Sequence, residues 1–105
     1  MLAKIKQYLI RSKFKRKGLN VIENIPYKQA KSILEDYESQ GWEVAPEFGS
    51  SNSFALTGKC AIRRGQSTLT FIQYDREAVS ISGPMRVVQA LAKELDLSPK
   101  PFPSH

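Results

Sequence analysis

Seven of the sixteen cationic side chains stand within the first 17 residues: Lys4, Lys6, Arg11, Lys13, Lys15, Arg16 and Lys17, with no acid among them. Fixed positive charge at this density does no covalent chemistry. It draws in polyanions, either the phosphates of a nucleic acid or the headgroups of an anionic membrane surface. Residues 18–105 carry nine basic and ten acidic side chains, so the formal net charge of +6 belongs to one end and the body is close to neutral.

Groups for catalysis are scarce. Cys60 is the single cysteine, and His105, the last residue, is the single histidine. A cysteine nucleophile needs a base beside it. Cys60 instead alternates onto the apolar side of a strand, where it reads as a small buried hydrophobe. Glu35, Asp36 and Glu38 fall on the outer side of a lysine-bearing helix, and Glu94 and Asp96 on the outer side of another. Acid–base work by paired carboxylates needs a cleft with unequal environments, which nothing in these positions provides. No grouping of histidine, cysteine and carboxylate has the spacing of metal ligands. Gly49–Ser53 lacks the lysine and following helix of a phosphate loop, and Arg63–Ser67 reads as a hairpin turn. The expectation is a non-enzymatic protein with no cofactor, no metal and no small-molecule substrate.

These side chains need elements to position them. Leu2, Ile5 and Leu9, flanked by Tyr8, follow helical spacing, and a helix over 2–12 is expected to end in a basic tail at Gly18. Leu19–Ile25 reads as a strand with Leu19, Val21 and, if the alternation holds to its end, Ile25 on one side. Pro26 opens a helix over about 26–40, whose apolar stripe is Tyr27, Ala30, Ile33, Leu34 and Tyr37, and Gly41 caps it. Trp42–Val44 reads as a short strand. A β-meander is expected over 53–82, beginning with alternation through Phe54, Leu56, Cys60 and Ile62.

The Gly65-Gln66 turn would pair Cys60 with Phe71 and Ile62 with Leu69, which places all four on one face. The opposite face then carries Thr57, Lys59, Ala61 and Arg63, followed by Thr68, Thr70, Ile72 and Tyr74, then Ser80 and Ser82. This second set holds cations, hydroxyls and one aromatic ring but no carboxylate. An open sheet face of that kind suits unpaired nucleic acid, with stacking on the ring and phosphates on the cations. Gly83-Pro84 starts a last helix over 84–96 with Val88, Leu91, Ala92 and Leu95 inward, and Pro99–Pro103 is an extended tail.

The implied architecture is an α+β two-layer sandwich. A mainly antiparallel sheet (β-meander 53–82) carries helices at about 26–40 and 84–96 on one face, preceded by a short basic N-terminal helix or arm. Three stretches follow: a basic arm at 1–18, a single α+β domain at 19–97 and a proline-rich tail at 98–105. The expected core is Val21, Ile33, Leu34, Trp42, Phe54, Leu56, Cys60, Ile62, Leu69, Phe71, Val79, Ile81, Val88, Leu91 and Leu95.

From charge and pattern together, the expected function is nucleic-acid binding through Lys4, Lys6, Arg11, Lys13, Lys15, Arg16 and Lys17, with Lys59, Arg63 and Tyr74 extending the footprint. Two alternatives use the same arm. In one the chain is a structural or adaptor subunit, a homo-oligomer or a module docked through its N-terminal helix. In the other Leu2, Ile5, Tyr8 and Leu9 enter an anionic membrane surface. Apolar runs of no more than three residues and the lone cysteine lead to a cytoplasmic expectation.

Overall fold

A two-residue turn fixes the centre of the fold. Gly65 takes φ +61° while Gln66 keeps negative φ, the combination that matches the twist of antiparallel strands. In the computed structural model, which describes residues 2–104 with side chains from Lys6 onward, β3 (Lys59–Arg64) and β4 (Ser67–Asp75) pair about this turn. Their register is Cys60 with Phe71, Ile62 with Leu69, Lys59 with Ile72 and Arg63 with Thr68, as the alternation implied. The chain turns again after Asp75, whose Oδ1 accepts the Glu77 N–H at 2.8 Å, and returns as β5 (Ala78–Pro84) beside β4. On the far side of β5 lies β1 (Leu19–Ile25), and β2 (Glu43–Val44) closes the other edge. The five strands run in the order β1-β5-β4-β3-β2, with every neighbouring pair antiparallel.

One face of this sheet is apolar and covered by two helices. From α2 (Tyr27–Ser39) come the buried Ala30, Ile33 and Leu34, and from α4 (Met85–Leu95) come Val88, Leu91 and Ala92. They meet Ile22, Ile25, Cys60, Ile62, Leu69, Phe71, Val79 and Ile81 in one core, the expected α+β arrangement. Trp42 joins it with its ring 5.4 Å from that of Tyr37.

Three expectations are corrected. The segment at 53–57 is not the first strand of the meander but part of a short helix, α3 (Asn52–Thr57), ended by Gly58 at φ +73°. Phe54 is still buried, stacked on Tyr27 at 5.1 Å and edge-on to Phe71 at 6.0 Å. Leu56 is 82% exposed and leaves the core. A helix of six residues buries one side chain, so it shows no helical period, and alternation mimics a strand.

The phase of β1 is also different. Asn24 adopts φ +61°, and the register shifts between Ile22 and Ile25, a bulge that points both isoleucines inward. Val21 is buried too, but on the opposite face. Finally, the N-terminal helix α1 (Leu2–Lys17) continues to Lys17 rather than ending near residue 12. Its buried anchor is Phe14, with Ile10 half-buried, whereas Tyr8 and Leu9 are 70% and 60% exposed. The side chains of Leu2, Lys4 and Ile5, and all of His105, lie outside the described residues.

The sheet leaves no room at one point. A β-carbon on Gly83 would come within 2.6 Å of Leu69 Cδ2 and 2.8 Å of the Thr68 carbonyl oxygen. Backbone cannot yield as a flexible side chain does. Gly83→Ala should therefore lower unfolding free energy by about 1–3 kcal/mol, read as a shifted urea midpoint at unchanged m-value.

Candidate functional site

β1 needs cover on both faces, and the two ends of the chain supply the second cover. α1 packs on β1 from the side opposite α2 and α4. The C-terminal segment runs along the outer edge of β1, where Lys100 exchanges two backbone hydrogen bonds with Val21, at 2.9 and 2.7 Å. Glu23 then fastens the tail. Its carboxylate is 3.0 Å from Lys100 Nζ, and it accepts the Ser104 backbone N–H at 3.0 Å and the Ser104 hydroxyl at 2.9 Å. Phe102 lies under the Arg11 guanidinium, 4.4 Å from carbon to ring centroid, and ties the tail to α1. The proline-rich tail thus has a structural role, because its prolines hold it extended for edge pairing while Lys100 supplies the N–H.

Because α1 covers only the β1 side of the outer face, a groove of about 600 Å³ remains between the helix and the strands beyond. One wall is Ile10, Lys13, Phe14 and Lys17, with Pro103 beside them. The floor is the outward set of β4 and β5: Thr68, Thr70, Ile72 and Tyr74, then Ser80 and Ser82. Lys59, opposite Ile72 across the β3–β4 ladder, stands on the far rim. Among the described residues, three lysines and no carboxylate line this space.

The structure brings together four of the expected site residues, Lys13, Lys17, Lys59 and Tyr74, and leaves Lys6, Arg11, Lys15, Arg16 and Arg63 outside the groove. Lys6, Lys15 and Arg16 are exposed on α1 away from the lining, and Arg11 covers Phe102. Arg63 pairs with Glu47 at 3.3 Å, with both side chains about half-exposed, so its charge is already partly answered. Lys4 falls among the undescribed side chains. Ile10, Phe14 and Pro103 are wall residues that sequence reasoning missed. The signal for the first two was their separation of four, one turn of helix, at positions that looked stranded among lysines.

Electrostatics within α1 add to this picture. Lys13 and Lys17, and likewise Arg11 and Lys15, are like charges four apart, and each such pair destabilises a helix by about 0.2–0.5 kcal/mol. Lys15, Arg16 and Lys17 occupy the last turn, where the helix dipole favours cations and offsets part of that repulsion. An anion in the groove would relieve it further. Cys60, by contrast, is fully buried on the other face, and burial pushes its thiol pKa up, away from the reactive thiolate.

Fold and site together define a small α+β domain in which a basic helix walls an open sheet face. No family model, curated protein or solved structure matches the chain. No helix among the described residues is long and apolar enough to cross a membrane.

The tail latch has a pH signature. Burial pushes the Glu23 pKa up, but the hydrogen bonds from Ser104 and Lys100 outweigh it and hold the carboxyl below the usual glutamate value. A group lowered on folding adds stability above its unfolded pKa and loses it as pH falls through the folded one. Unfolding midpoints should therefore drop towards acid pH, and Glu23→Gln should be less stable at neutral pH with part of that drop removed. Urea titrations of both proteins at neutral and acidic pH check this.

Proposed function

We propose that the protein binds nucleic acid through the basic helix α1 and the adjoining outer sheet face, without catalysing a reaction. The observation that carries this reading is one groove with Lys13 and Lys17 on one rim, Lys59 on the other, and no carboxylate among the described residues of its lining. Cations on opposite rims favour a polymer with repeating charge, because a single small anion cannot satisfy both. Lys6, Lys15 and Arg16, exposed on α1 outside the groove, extend the field towards neighbouring phosphates. A cytoplasmic location accompanies this reading.

A second reading draws on the exposed Tyr8 and Leu9, which offer α1 to a protein partner, a second copy or an anionic membrane surface. It would leave the groove unused. Light scattering over a concentration series addresses self-association, and vesicle sedimentation addresses the membrane.

Removing α1 outright would uncover Val21 and unsettle the fold, so charge reversal is the cleaner test. For Lys13→Glu with Lys17→Glu, oligonucleotide affinity should fall. The slope of log K against log salt should become shallower by roughly 2, since each lysine neutralises one phosphate. Fluorescence anisotropy at several salt concentrations measures both, and unchanged affinity and slope would refute the assignment.

A further inference from the structure

The groove carries more information than its charge. Lys59 is on β3, three strand spacings from β1 and its covering helix, so the rims stand roughly 14 Å apart. That width admits one polynucleotide strand and is narrower than a duplex. Between the rims the floor is not cationic: Ile72 is half-buried and the Tyr74 ring is 43% exposed. A duplex keeps its bases stacked inside and would offer such a floor only more phosphate. An unpaired strand offers base faces, which an aromatic and an aliphatic side chain accept.

The remaining floor is hydroxyl-bearing. Thr70 and Ser82 are direct partners across β4 and β5, with Thr68 two residues along β4 and Ser80 two residues along β5 on the same face. A hydroxyl both donates and accepts, as does the ribose 2′-OH, and deoxyribose lacks that partner.

Resting on the nucleic-acid reading, we propose that the groove holds a single strand of RNA. Its bases lie over Ile72 and Tyr74, its phosphates on Lys13, Lys17 and Lys59, and its ribose hydroxyls against Thr68, Thr70 and Ser82. The strand crosses the groove from Lys13 and Lys17 on the α1 wall to Lys59 on the far rim.

The test is fluorescence anisotropy of the full chain with three labelled oligomers of one mixed base sequence: an RNA single strand, the DNA single strand and the RNA duplex. The RNA single strand should bind at least about tenfold tighter than the duplex, and Tyr74→Ala should remove about tenfold of its affinity while leaving duplex binding unchanged. The RNA strand should also outbind the DNA strand, and Thr70→Val with Ser82→Ala should erase that difference. Circular dichroism melts of the variants confirm that each is folded. Duplex binding as tight as single-strand binding, with Tyr74→Ala silent, would overturn the proposal and leave phosphate binding by α1 standing. Equal affinity for the RNA and DNA strands would overturn the ribose contact. Binding of none of the three would remove both this proposal and the reading beneath it.

Discussion

Strand β1 has apolar side chains on both of its faces, and that constraint shapes the rest of the molecule. Ile22 and Ile25 point into the core between the sheet and α2 and α4, while Val21, equally buried, points the other way. A strand buried on both faces needs two covers. The second cover is made by Phe14 of α1 and by the returning tail, the two termini of the chain. Residues that a terminus would ordinarily leave frayed are therefore held by packing. The groove is a by-product: α1 sits over β1, and the strands beyond keep an open face.

The charge distribution follows from that packing. A helix of this composition, with repeated like charges one turn apart, is poorly stable in isolation. It is held by Phe14 and Ile10 against the sheet, and the favourable placement of its last-turn cations assists. Lys13 and Lys17, within one turn of Phe14, are thereby directed over the sheet, while Lys6, Lys15 and Arg16 remain outside. The anchor and the groove-lining charges are interleaved on one element, so the orientation of the field depends on an apolar contact.

The edges of the sheet explain why its face, rather than its rim, is the available surface. At β1 the outer edge is paired with Lys100, and at the opposite edge β2 is only two residues long. Both devices leave little backbone for another strand to join. The Glu23 carboxylate, with a side chain only 4% exposed, secures the first of them. On this side of the sheet, the accessible surface includes the hydroxyl-lined floor and the exposed stretch of α1 around Tyr8 and Leu9.

Much of the fold was written in local pattern. The Gly65-Gln66 turn and the alternation on either side determined the β3–β4 register residue by residue, and the stripes at 27–37 and 88–95 determined which helix faces are buried. Those signals are local because turn chemistry and side-chain periodicity act over a few residues. The sequence also placed Lys59, Thr70, Ile72 and Tyr74 together on the face away from the core. Tertiary structure alone decided the rest. β1 is apolar on both faces, so alternation alone left its phase open at Val21 and Ile22, and the bulge at Asn24 then turned Ile25 to the core face, since one extra residue moves every following side chain to the other face. α3 buries Phe54 alone, too short for a period to show. Phe14 looked isolated among lysines because its partners on β1 and in the tail are distant along the chain, and the groove exists only once those distant pieces meet.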